Sequence, residues 1–125
     1  MELRPENPVD AVNAGFVLGW NTSGRARQYF HLAFSGSYLF FERIGFRRGD
    51  EYYDFEHLDE GVPFQLETNR LYNFKLDVGT QRLSLACDKR EVYSVGIARN
   101  SIYGRVGLRP WRSLLRCERF EVEEV

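Results

Sequence analysis

The sequence predicts an all-β domain, an antiparallel β-sandwich of about ten short strands. Three observations lead there. Aromatic and β-branched residues gather in short runs, and turn residues rich in glycine, serine and asparagine separate those runs. Several runs alternate apolar and polar residues with period two, the pattern of a strand with one buried face. Few segments carry the period of an amphipathic helix.

After a first strand near Glu2-Leu3-Arg4, the segment Ala14 to Asn21 reads as a strand ending at the turn Asn21-Thr22-Ser23-Gly24. Arg27 to Phe34 alternates clearly. Gln28, Phe30, Leu32 and Phe34 share one face, and Tyr29, His31 and Ala33 share the other. Ser35-Gly36-Ser37 reverses the chain into Tyr38 to Phe46, so the two segments form a hairpin. Phe46 to Glu60 is a charged, aromatic loop with a short strand near Tyr52 to Phe55, and Phe64 to Leu66 is a further short strand. Tyr72 to Val78 alternates strongly, Leu83 to Cys87 follows a Gly79-Thr80-Gln81 turn, and Glu91 to Val95 completes a meander after Asp88-Lys89-Arg90. Gly96 to Tyr103 is an irregular connection. Gly104 to Arg109 is a strand that Pro110 interrupts, because proline donates nothing to a ladder. Leu115 to Val122 is the last strand. The inner faces expected from this reading hold Phe16, Leu18, Phe30, Leu32, Phe40, Phe74, Leu76, Leu83, Leu85, Val106, Leu108, Phe120 and Val122.

Composition narrows the function classes. A chain of 125 residues is one domain, and 43% hydrophobic with 15% aromatic residues is enough for a core. The 17 basic and 18 acidic side chains leave a net charge of -1, which argues against a nucleic-acid coat or a polybasic membrane binder. Arginines 25, 27, 43, 47 and 48 interleave with Tyr29 and Phe46, a pattern that can stack bases, but neighbouring acids offset them. Cys87 and Cys117 are too few for a disulfide scaffold or a cysteine zinc site; two buried thiols are expected, with a disulfide as the alternative if they face each other. The first residues have no signal-peptide pattern, and no apolar run nears the roughly 20 residues of a membrane span. A soluble, cytoplasmic protein is the expectation for a full-length chain; an excised domain leaves the compartment open.

The second half carries a recognisable order. Tyr72-Asn73-Phe74-Lys75-Leu76-Asp77-Val78 leads to Leu83-Ser84-Leu85-Ala86-Cys87, then to Val92-Tyr93-Ser94-Val95, to Gly104-Arg105-Val106-Gly107-Leu108-Arg109, and to a strand ending Phe120-Glu121-Val122. This order resembles the concanavalin A-like lectin and glucanase superfamily, in particular its laminin-G-like and keto-disaccharide-hydrolase-like branches. Ala14 to Trp20 is similar to an early strand of such domains. The resemblance implies a jelly roll whose final strand closes beside the N-terminal one. It also implies a longer N-terminal portion than this chain has before Glu2, hence a trimmed or minimal domain with an edge strand exposed or paired with another chain.

The same resemblance frames the candidate chemistry. Laminarinase-like members use a Glu-x-Asp-x-x-Glu strand; here Glu51-x-x-Asp54-x-Glu56 runs in the reverse order, and Glu56-x-x-Asp59-Glu60 does not match either. Calcium-binding members use Asp and carbonyl oxygens. Asp50, Asp54 and Asp59 carry such oxygens without a loop spacing, so no cofactor is assigned and calcium stays a weak alternative. His31 and His57 are far apart in sequence, and no serine sits in an elbow motif. Carbohydrate recognition asks for less: an aromatic face for the sugar ring and polar groups for its hydroxyls. Trp20, Asn21, Tyr29, His31, Tyr38 and Arg43 on three consecutive segments, with Trp111 and Arg112 after Pro110, are the candidate ligand-binding residues. Against them stands the ordinary role of Trp20 and Tyr29 as core aromatics and of Trp111 as an end cover. The expected partner is thus a glycan, bound without catalysis, or another protein for which the domain is an accessory. A glycoside hydrolase ranks third.

Overall fold

The computed structural model describes residues 2–5, 13–21, 27–35, 37–46, 53–67, 69–97, 102, 105–110 and 115–123. Within them the chain is all-β. Its strands are β1 (Glu2–Pro5), β2 (Asn13–Asn21), β3 (Arg27–Ser35), β4 (Tyr38–Phe46), β5 (Tyr53–His57), β6 (Val62–Pro63), β7 (Tyr72–Val78), β8 (Arg82–Cys87), β9 (Arg90–Gly96), β10 (Arg105–Pro110) and β11 (Leu115–Arg119). They form two antiparallel sheets. One has the order β11-β1-β7-β8-β9; the other has β10-β2-β3-β4-β5, with β6 also paired to β4.

The meander β7–β8–β9 forms where the sequence alternates. Tyr72 and Phe74 are buried while Asn73 and Lys75 are exposed, and Leu83, Leu85 and Cys87 continue the buried face on β8. Gly79 closes the first turn through its N–H to the Arg82 carbonyl at 2.8 Å. Asp88 and Lys89 make the second turn with φ of 50° and 71°, the two positive values that a tight hairpin matching the sheet twist demands.

The two sheets face each other across an aromatic core. Phe16 of β2 meets Phe74 of β7 edge-on at 5.9 Å, Phe34 of β3 lies 5.2 Å from Phe74, and Phe30 stacks on Phe41 at 5.5 Å. Such pairs add to the burial of large apolar area. Asp59 ties the layers together. One carboxylate oxygen accepts the Phe41 N–H at 2.9 Å, the Leu58 N–H reaches the Phe41 carbonyl at 2.9 Å, and the Tyr93 hydroxyl of the opposite sheet donates to the other Asp59 oxygen. Asp59 and Leu58 thereby continue the β4 ladder between β5 and β6. Burial first, and then the bond to Asp59, raises the Tyr93 hydroxyl above the usual tyrosine range.

Several inner-face expectations change. Phe40 points away from the core; Leu39 and Phe41 point in, because β4 pairs Leu39 with Phe34 and Phe41 with Leu32. Val106, Phe120 and Val122 are exposed. The last strand ends at Arg119, so Phe120 and Val122 lie past its ladder. The short strand expected at Phe64 to Leu66 is instead Val62–Pro63, and Phe64 ends it by donating its N–H to the Ser37 carbonyl at 2.9 Å. Cys87 is buried, Cys117 is exposed, and both are free thiols, on strands that β1 and β7 separate.

Candidate functional site

The face of the six-stranded sheet turned away from the core holds the chemistry. Alternation from Phe30, Leu32 and Phe34 in the core puts Tyr29, His31 and Ala33 on this outer face. The register then builds three rows across it. One row is Arg109, Gly15, Ala33 and Phe40; the next is Gly107, Val17, His31, Glu42 and His57; the third contains Arg105, Trp20, Tyr29 and Ile44. Trp20 joins the third row because of an irregularity in β2 between Leu18 and Asn21. There Gly19 adopts φ 68°, a conformation that costs glycine nothing and turns the indole onto the outer face.

The centre of the face is closed. Tyr29 is 4% exposed, His31 6% and Glu42 4%, and Ala33 and Ile44 are buried beside them. His31 Nδ1 and Glu42 Oε1 lie 2.9 Å apart in a buried hydrogen bond. The other polar atoms of this pair, His31 Nε2 and Glu42 Oε2, have no hydrogen-bond partner although both are buried. That is a costly arrangement in a low-dielectric interior. Gly15 makes room for it: a Cβ there would lie 2.3 Å from His31 Nε2 and 2.5 Å from the Leu32 carbonyl oxygen.

The β2–β10 end of the face is open. Trp20 is 38% exposed and its ring centroid lies 5.3 Å from that of Tyr29, which meets His31 edge-on at 6.5 Å. Arg109 Nη1 donates to the Tyr29 hydroxyl at 2.5 Å and so fixes the ring from the far side of β2. Between Arg105 and Arg109 lies Gly107, where an added Cβ would meet no atom within 4 Å. The sheet there has an aromatic wall, a cation on each side and an empty floor.

The expected site residues divide accordingly. Trp20, Tyr29 and His31 come together. Asn21 follows Trp20 on β2 and pairs with Gln28. Tyr38 is exposed at the opposite end of the β3–β4 hairpin. Arg43 belongs to the other face, opposite Phe30, where its Nε and Nη2 bond Glu56 Oε2 at 3.1 and 2.8 Å. Trp111 and Arg112 lie outside the described residues, as do Asp50 and Glu51. Asp59, named for calcium, has both oxygens engaged by Phe41 and Tyr93. Among the described residues no three His, Cys, Asp or Glu side chains stand together to hold a metal ion, although Glu42 pairs in register with both His31 and His57. His57 stacks instead on Phe40 at 4.7 Å.

Sequence reasoning did not single out Glu42, Arg105, Gly107 or Arg109. A signal existed for each. Glu42, next to Arg43, interrupts the apolar stretch from Leu39 to Ile44, and a charged residue inside such a stretch is rarely buried without a partner. Arg105-x-Gly107-x-Arg109 has strand spacing that puts all three on one face. Compared with protein-family models, curated proteins and solved structures, the chain gives no significant match.

Proposed function

We propose that this chain is a concanavalin A-like jelly-roll domain that binds carbohydrate without catalysis, at the β2–β10 end of its outer face. The reading rests on one observation above the others. Trp20 presents a partly exposed indole, braced by Tyr29, beside a stretch of sheet left bare by Gly107. A pyranose offers an apolar C–H face to such a ring and hydroxyls to neighbouring arginines. The topology supports the fold assignment: the last strand, β11, pairs with the N-terminal β1, and β10 lies beside β2. The non-catalytic reading is supported by the carboxylates. Glycoside hydrolysis uses two of them across the scissile bond. Among the described rows of this face Glu42 is the one carboxylate, and it is buried against His31.

Glycan-array screening followed by calorimetric titration tests the reading. Trp20→Ala is expected to lose binding at least about tenfold, the size of a stacking contact, and Tyr38→Ala to leave it unchanged. Binding to no saccharide, or equal binding by the wild type and Trp20→Ala, would contradict it.

A further inference from the structure

The proposed site has a charge character that the glycan reading does not require. β10 is regular from Arg105 to Pro110, and the irregularity in its pairing falls on β2, where the four residues from Val17 to Trp20 oppose the three from Arg105 to Gly107. Arg105, Gly107 and Arg109 therefore point to the same side. The Arg109 bond to Tyr29 identifies that side as the outer face. Arg105 is the direct cross-strand neighbour of Trp20, so its guanidinium and the indole share one patch of surface. The two cations differ in their employment. Arg109 is half-buried and holds the Tyr29 hydroxyl. Arg105 is exposed, and among the described residues no carboxylate pairs with it. Arginines 43, 70, 116 and 119 each have a carboxylate within 4 Å. Arg82, Arg90, Lys75 and Lys89, all on the β7–β8–β9 meander, are likewise exposed without a carboxylate among the described residues, whereas Arg105 lies beside the exposed indole.

We propose that the ligand of this site is an acidic saccharide, its ring stacked on Trp20 over the bare floor at Gly107 and its carboxylate bonded by Arg105. The proposal rests on the glycan reading above and adds the ligand's charge to it. Chemistry supports the assignment. Guanidinium matches a carboxylate with two parallel N–H···O bonds, and such charge-assisted bonds are stronger than those to a hydroxyl. The flanking Arg109 adds favourable potential without giving up Tyr29, because guanidinium has five N–H donors. Glu42 on β4, the nearest acid along the rows, is buried and bonded to His31, with β2 and β3 between it and β10.

The test compares uronate oligosaccharides, namely galacturonate, glucuronate and mannuronate oligomers, each with its carboxyl-reduced neutral counterpart. The partners then differ only at C6. Calorimetric titration of the whole chain is expected to give at least one uronate oligomer that binds about tenfold or more tighter than its reduced form. Arg105→Gln is expected to bring the two within about threefold of each other, and added salt to weaken only the uronate. Gly107→Val, which has space for its side chain, is expected to abolish both while leaving the circular dichroism and the unfolding midpoint unchanged. Equal affinity for uronate and reduced forms, or preference for the reduced form, overturns the proposal and leaves the glycan reading standing. A uronate preference that survives Arg105→Gln overturns it too. Binding of neither form by a folded chain defeats both.

Discussion

The two sheets bury their faces differently. The five-stranded sheet has one dry face: along β7, Tyr72 and Phe74 are buried while Asn73, Lys75 and Asp77 meet solvent. The six-stranded sheet is buried on both faces at its centre, with Phe30, Leu32 and Phe34 against the core and Tyr29, His31 and Ala33 on the outer side. A sheet that needs only one dry face can place polar groups opposite it at no cost. One that covers both must bond every polar group it takes in. The six-stranded sheet accepts His31 and Glu42 in that setting and leaves one atom of each unsatisfied. Strain of that kind sits next to the open β2–β10 end, and the five-stranded sheet has no counterpart among its described residues.

Substitutions on the two faces break or sharpen this contrast. The largest effects are expected in the core, where Phe74→Ala and Leu32→Ala each lower stability by about 3–5 kcal/mol in denaturant unfolding. The distinguishing pair comes next. On the outer side of the six-stranded sheet, Glu42→Ala is expected to cost about 3 kcal/mol, because it leaves His31 buried without its carboxylate. On the outer side of the five-stranded sheet, Lys75→Ala is expected to change stability by no more than about 0.5 kcal/mol. A combined His31→Leu and Glu42→Met chain is expected to recover most of the Glu42→Ala loss. Equal, small effects of Glu42→Ala and Lys75→Ala would erase the contrast.

Gly15→Ala is expected to cost about 1–3 kcal/mol, since the added methyl meets both the His31 ring and the Leu32 carbonyl. Combining it with His31→Ala is expected to relieve only part of that loss, because the backbone oxygen remains in the way. Thermal unfolding of the single and double variants reads this directly.

The pH dependence sharpens the contrast from the side of the five-stranded sheet. Burial, and then the neighbouring Asp88, push the Cys87 thiol up from near 9 to about 11. The folded state therefore holds this proton more tightly than the unfolded chain does. Its contribution is full below pH 9 and is lost as pH rises through about 11. The Tyr93 hydroxyl, also raised, acts in the same direction from higher pH. Unfolding midpoints measured from neutral to alkaline pH are expected to fall above pH 9, and Cys87→Ala to flatten the first part of that fall. The smallest effect belongs to Arg43→Gln, whose exposed bridge to Glu56 is worth less than about 1 kcal/mol and lies on the face opposite the site.

The same contrast decides how much was legible in the sequence. The meander could be read residue by residue because Tyr72-Asn73-Phe74-Lys75 alternates, and alternation states which side is dry. The β4 run Tyr38-Leu39-Phe40-Phe41 has no such period. It belongs to a strand covered on both sides, so the inward residue is fixed by pairing with β3, and Phe40 was misplaced by one position. Phe120 and Val122 look like a core pair in isolation, but the β1–β11 ladder stops at Arg119. Trp20 and Tyr29 were legible as candidates because aromatic residues stand out locally. Their partners Arg105, Gly107 and Arg109 lie some eighty residues later and reach them only through the β2–β10 pairing. A glycine that matters for the space above it leaves no mark in composition.

Ligand binding at the β2–β10 end of the outer face can be read residue by residue. Backbone amide chemical shifts recorded during titration with the tightest-binding saccharide test it most directly. Shifts are expected to concentrate at Trp20, Tyr29, Arg105, Gly107 and Arg109, with the amides of Tyr72–Val78 and Arg82–Cys87 unmoved. Shifts confined to the five-stranded sheet, or to the Tyr38 end of the β3–β4 hairpin, would contradict it.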